Sequence, residues 1–146
     1  MIPWLKSENS EVITGEANGI GFAAAKYFLD QGMRVLIADV NEDALAKAQT
    51  VLDVGSERLL TQKCDVSDLN QIKALGEVAL NSFGRIDCLM NNAGISVARA
   101  NPCEEIDAWK KPIEINLCGI IHGCHTFIPM MLESKPPVAV INTEPK

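Results

Sequence analysis

The chain has 146 residues, 47% hydrophobic and 22% charged, and carries a net charge of −6 from 13 Lys and Arg against 19 Asp and Glu. That is the length of one domain at ordinary globular composition, which excludes a disordered, collagenous or disulfide-held chain. An acidic chain without a basic cluster is unsuited to nucleic acid or to an anionic membrane surface.

In chain order, Val12–Thr14 reads as a short first strand, although Ser7–Glu11 before it is polar where a buried central strand should be apolar. Ile20, Ala24, Tyr27 and Phe28 follow at helical spacing, and Gly32 ends that helix. Val35–Asp39 is a continuous apolar run ending in an acid, the pattern of a strand buried on both faces. Leu45, Ala48 and Leu52 mark a second helix, and Leu59–Cys64 a third strand. Asp68 is placed to cap a helix with the inner stripe Ile72, Leu75, Ala79 and Phe83. Ile86–Asn91 is a fourth strand. A long helical region from Ile106 to Ser134 is interrupted by Pro112 and Pro129, and Val138–Asn142 starts a fifth strand. No internal repeat or linker divides residues 1–146, so a single domain is expected. Strands alternating with amphipathic helices predict a Rossmann-like, doubly wound parallel sheet of about five strands in the order 3-2-1-4-5.

The five cysteines, Cys64, Cys88, Cys103, Cys118 and Cys124, form no C-x-x-C pair, and read as packing residues in a reducing compartment. No apolar run reaches the roughly 18 residues of a membrane span, and Met1 to Ser10 lacks the features of a signal peptide. A soluble, cytoplasmic protein with no membrane partner is the expectation. His122 and His125 are three apart with no third ligand in view, so no metal site is expected. Trp109 and Met130–Met131 read as core or interface residues.

Thr14-Gly15-Glu16-Ala17-Asn18-Gly19-Ile20-Gly21 falls between the first strand and the first helix. In that context Gly15 allows a tight turn, Gly19 lets backbone approach a pyrophosphate, and Gly21 lets the helix pack close to the sheet. Asp39 ends the second strand, 20 residues after Gly19, where a carboxylate can accept hydrogen bonds from both ribose hydroxyls and would repel a 2′-phosphate. NAD is therefore expected over NADP.

This glycine spacing, with Cys64-Asp65-Val66, Asn91-Asn92-Ala93-Gly94 and Ile115-Asn116-Leu117-Cys118-Gly119 at sensible intervals, resembles a short-chain dehydrogenase/reductase from about Val12 to Asn142. The resemblance implies that Thr14, Gly15, Gly19, Ile20 and Gly21 line the cofactor diphosphate and ribose. It implies that Asp39 holds the adenosine ribose and that Asp65 and Val66 contact adenine. Asn91, Ala93 and Gly94 would border the cofactor and tie the central strands together. Asn116 matches the family asparagine that kinks the long helix and holds a relay water; read without the family, it is a polar residue in a helix.

The resemblance also exposes departures. The family's general acid is a tyrosine, with a lysine four residues on and a serine that polarises the carbonyl; a free phenol, with pKa about 10, is a poor acid–base group at neutral pH. Here Tyr27 is the one tyrosine, Gln31 stands four residues on, and Tyr27 is expected in the core. The position for the serine is Pro145. The chain thus reads as the cofactor-binding half of a C-terminally truncated family member, inactive alone, and the residues that would choose a substrate are not in it. Alternatives are a non-enzymatic nucleotide-binding protein that associates with full-length relatives, and an unstable fragment. Self-association is expected through the fifth strand's edge and a helix face carrying Ile120, Ile121 and Phe127. Glu16 stands where the family has Ala or Gly, and should weaken dinucleotide binding by charge repulsion.

Overall fold

The computed structural model describes residues 2–15, 19–96, 106–134 and 137–144. Strand β1 (Ser10–Thr14) leads to α1 (Gly19–Asp30), β2 (Arg34–Asp39), α2 (Glu42–Leu52), β3 (Leu59–Lys63), α3 (Leu69–Phe83) and β4 (Cys88–Asn91). A long helical segment and β5 (Ala139–Asn142) follow. The sheet is parallel throughout in the order β3-β2-β1-β4-β5, as the alternation of strands and helices predicts. Along β1 and β2 successive side chains enter opposite layers. Val12, Leu36 and Ala38 pack with Ile72, Leu75, Ala79, Phe83 and Phe127 on one face. Ile13, Val35 and Ile37 pack with Ala25, Phe28, Leu29, Leu45 and Ala48 on the other. Asp68 caps α3 by accepting from the amides of Asn70 and Gln71, a contact typically worth about 1 kcal/mol.

Three expectations from the sequence are corrected. The inner stripe of α1 is Gly21, Ala25, Phe28 and Leu29, one residue out of phase with the expected one. Ile20 and Tyr27 are exposed, Tyr27 by 51%, with its ring edge-on to Phe28. Gly19–Asp30 is apolar almost all round, so no polar face fixes the phase. The polar start of β1 is inside the molecule, since Ser10 and Glu11 are both fully buried. The Ser10 amide donates to Asp87 Oδ2 at 2.9 Å, and its hydroxyl donates to the Arg85 carbonyl. Asp87, also fully buried, is paired with Arg85. Glu11 has no such support. Cys88 Sγ donates to its Oε1 at 3.5 Å, Oε2 has no partner, and burial pushes its pKa from 4.5 up to about 8.

The third correction concerns the long helix. Ile106 to Glu133 is one helical stretch of 28 residues that changes pitch along its length, and its length and composition alone would let it cross a bilayer, a test that a buried core helix also passes. Scattered polar residues hide that character in a run-length reading. Its inner face is used by the domain core: Phe127 and Met131 are buried against α3 and the sheet. A 3-10 turn (Ile106–Trp109), α4 (Lys110–Ile113), a π-helical segment (Glu114–Cys118) and α5 (Gly119–Glu133) succeed one another. Pro112 sits in the first turn of α4, directly after the 3-10 turn, and the helical stretch continues through it and does not restart. Pro129 lies inside α5 without ending it. It is on the exposed side, where the carbonyl it leaves without a donor can turn to water. Phe127, expected on a bare face, is fully buried; the exposed stripe is Ile113, Leu117, Ile121, Ile128 and Leu132.

Candidate functional site

The C-terminal ends of β1 to β4 open into a cleft of about 190 Å³, lined by Gly15, Asp39, Val40, Cys64, Asp65, Val66, Ala93, Gly94, Ile95 and Ile115. That is the crevice where open parallel sheets bind ligands, beside a strand whose neighbours' connections run to opposite sides. Its volume is below the roughly 300 Å³ at which complete small-molecule pockets begin. Six residues expected at a cofactor, Gly15, Asp39, Asp65, Val66, Ala93 and Gly94, share this one lining.

Gly15 turns the chain out of β1 with φ +76°, and a Cβ there would overlap the Ala93 backbone. The close approach is locked from both sides. The Gly15 amide donates to Ala38 O at 2.7 Å, and Asn92 Nδ2 donates to Gly15 O at 3.1 Å. Asn92 in turn accepts from Thr143 Oγ1 at 3.0 Å, which ties the glycine turn to the end of β5. Asn92 lies in a motif the sequence displays, but its support of the turn depends on partners 77 and 51 residues away. Thr14 and Asn91 are buried in the strands behind the cleft and do not line it. Asn91 Nδ2 donates to Asn142 Oδ1 at 2.9 Å, joining β4 to β5. Gly19, Ile20 and Gly21 form the start of α1, with Gly21 buried against the sheet. Glu16, Cys103 and Pro145 lie outside the described residues.

Asp39 closes β2 at the rim, its Oδ1 accepting from the Asn41 amide at 2.9 Å. Opposite, Asp65 Oδ1 accepts from both the amide and the hydroxyl of Ser67. Cys64 lines the floor, and burial first, then Asp65 and Asp68, push its thiol up to about 11. It is a neutral, unreactive wall at physiological pH.

Asn116 falls within the π-helical segment, a distortion frequent at functional positions. Its side chain makes a paired contact with one residue: Oδ1 accepts from Ile95 N and Nδ2 donates to Ile95 O, both at 2.8 Å. The irregular helix is thereby stitched to the loop after β4 that forms one side of the cleft. His122 Nδ1 donates to Val66 O at 2.9 Å. Among the described residues no three His, Cys, Asp or Glu side chains gather as a metal site. Cys118 and Cys124 are half-buried and free, and Trp109 is 39% exposed.

Residues 10–144 match the family model described as short chain dehydrogenase. The chain is 35% identical over 133 residues to 3beta-hydroxysteroid dehydrogenase 1 of Eggerthella lenta, covering 90% of this chain and 51% of that protein. It is 40% identical over 116 residues to cis-4-hydroxycyclohexanecarboxylate dehydrogenase of Sinomonas cyclohexanicum, covering 78% and 46% respectively. Among solved structures, a short-chain dehydrogenase/reductase of Burkholderia phymatum in complex with NAD superposes with TM-score 0.87 at 31% identity, over 94% of this chain and 49% of that one. The 3-ketoacyl-(acyl-carrier-protein) reductase of Brucella melitensis, complexed with NADH, gives TM-score 0.85 at 26% identity, over 93% and 56%. The chain therefore spans about half the length of the relatives it matches.

Proposed function

The chain belongs to the short-chain dehydrogenase family, and from that premise we propose that it is the cofactor-binding half of an NAD-dependent oxidoreductase of the cytoplasm. The observation that carries this reading is the convergence of Gly15, Asp39, Asp65, Val66, Ala93 and Gly94 on one cleft. A glycine turn with φ +76° at the end of β1, followed by the start of α1, also fits the group, since helix-start amides there can face a diphosphate. When bound, the nicotinamide supplies the hydride chemistry. The protein's own part is to hold the diphosphate at Gly15, Gly19, Ile20 and Gly21, the ribose at Asp39, and the base at Asp65 and Val66. Asp39 favours NAD, because a carboxylate accepts from ribose hydroxyls and repels a 2′-phosphate. Calorimetric titration tests this: NAD should bind more tightly than NADP, and Asp39→Ala should narrow the gap. A gap unchanged by Asp39→Ala refutes the assignment.

In this reading the chain alone does not turn over. Its single tyrosine, Tyr27, is followed four residues on by Gln31, not the lysine that would tune it. A missing general acid typically costs 10²–10⁴-fold, and a neutral amide such as Asn116 is too weak an acid to replace it. NADH oxidation with a panel of ketones should stay far below about 1 s⁻¹, the low end of ordinary enzymes; such turnover surviving Tyr27→Phe overturns the reading.

A second reading rests on the exposed stripe of Ile113, Leu117, Ile121, Ile128 and Leu132. Contiguous apolar surface of this kind favours association, with a second copy or with a full-length relative. Recovery of the purified chain as a monodisperse monomer at all concentrations counts against it.

A further inference from the structure

The loop between β3 and α3 carries Asp65 and Val66, one wall of the cleft. Its hydrogen bonds are nearly all local. The Asp65 amide donates to Gln71 Oε1 at 2.9 Å, the Asp68 amide to Asp65 O at 3.1 Å, and Gln71 Nε2 to Asp68 Oδ2 at 3.1 Å. Such bonds shape the loop without fixing where it stands relative to the other walls. Beyond the strand pairing that ends with the Cys64 amide on Asp39 O, one hydrogen bond among the described residues reaches this loop from outside β3 and α3, the elements that flank it. It is that of His122, 56 residues away on α5, whose Nδ1 lies 2.9 Å from Val66 O. A carbonyl only accepts, so the ring must carry its proton on Nδ1. One turn earlier, Gly119 presents bare backbone to the Val66 side chain; a Cβ there would lie 2.7 Å from Val66 Cγ2. The helix thus grips Val66 by its carbonyl and by its side chain, and Val66 is 6% exposed.

We propose that His122 is a positioning residue for the base-binding end of the cleft, holding the Val66 carbonyl so that Asp65 and Val66 keep the wall against which a purine rests. The proposal rests on the dinucleotide reading above. It assigns to α5 a role in nucleotide affinity that its distance from Gly15 and Asp39 in the chain does not suggest. Losing the bond frees the loop to move while the glycine turn stays as it is, so the effect is confined to ligands that carry the base.

The test titrates 5′-AMP, NAD and nicotinamide mononucleotide into the wild-type chain, His122→Phe and His122→Asn. Asn places an amide N–H where Nδ1–H stands, whereas Phe offers none. His122→Phe should weaken AMP and NAD about five-fold, the scale of one neutral hydrogen bond, and leave nicotinamide mononucleotide unchanged. His122→Asn should stay within about two-fold of wild type. Equal AMP affinity for Phe and wild type, equal losses for both mononucleotides, or an Asn variant as weak as Phe overturns the proposal. A second measurement needs no variant: in the wild-type chain the His122 Nδ1–H proton resonance should shift as AMP binds, and an unmoved signal at saturation overturns it too. Failure of the wild-type chain to bind AMP or NAD removes the dinucleotide reading itself, and this proposal with it. Normal wild-type binding with an indifferent His122 removes this proposal alone.

Discussion

Replacing Glu11 by Gln should make the fold more tolerant of alkali. Glu11 is fully buried in the central strand, with one oxygen unpartnered, and burial raises its pKa from 4.5 to about 8. Because the folded value lies above the unfolded one, the proton stabilises the fold. That contribution is complete below about pH 4.5 and is lost as pH rises through about 8. Each pH unit in that window is worth about 1.4 kcal/mol, so the wild-type chain should lose about 3 kcal/mol between pH 5 and pH 8 from this residue. Glutamine has similar shape and does not titrate. The stability difference between Glu11→Gln and wild type, from urea melts across that range, should therefore widen by about 3 kcal/mol in favour of the variant. For a chain of this size that is a divergence in Tm of about 10 °C. The Cys88 thiol, itself pushed up chiefly by burial and then by Glu11, stays protonated throughout and leaves the sign unchanged. Curves that run parallel within about 1 kcal/mol from pH 5 to pH 8 refute the argument, because a carboxyl that titrates normally has found water or a partner.

Gly15→Ala should cost about 2 kcal/mol or more in thermal unfolding and abolish dinucleotide binding, since it strains a φ of +76° and collides with Ala93; a variant with wild-type Tm and binding would contradict the packing described. Iodoacetamide at about pH 7.5 should label the half-buried Cys118 and Cys124 well before Cys64 and Cys88, which are buried with raised pKa values. Peptide mass mapping reads the order, and equal labelling of Cys88 would show that its surroundings open to water. The double change Leu117→Glu and Ile121→Glu should reduce association in light scattering while shifting stability by less than about 0.5 kcal/mol per site, because both side chains are exposed; undiminished association would place the contact elsewhere.

What could be read in advance follows from which side chains have only one suitable environment. Val35–Asp39 was legible because a continuous apolar run that short has to be buried on both faces, and the parallel order then follows from handed crossovers. The glycine turn was legible because only glycine serves at Gly15. The phase of α1 was not, since Ile20, Ala24 and Tyr27 are as apolar as Gly21, Ala25 and Phe28. Nor was the start of β1, where Ser10 satisfies its polar groups on Asp87 and Arg85, residues far along the chain. The cleft's residues were found by their motifs, but their supports were not. Asn92 on Gly15, Asn116 on Ile95 and His122 on Val66 are pairings between distant segments, and a side chain's spacing from its neighbours says nothing about them.

An all-parallel sheet also sets a timetable for the growing chain. β1 lies at the centre, yet the strand that covers its second edge is separated from it by long sequence: Glu11 meets Cys88 77 residues later. At synthesis rates of about 5–20 residues per second, β1 waits about 4–15 s for β4 to emerge. During that interval the edge of β1 presents Glu11, Val12 and Ile13 to solvent. A carboxylate at that edge is charged and hydrated before β4 arrives, and it discourages pairing with a neighbouring nascent chain. The carboxyl that is poorly supported in the finished fold is the same group that would keep this edge hydrated while the fold is incomplete.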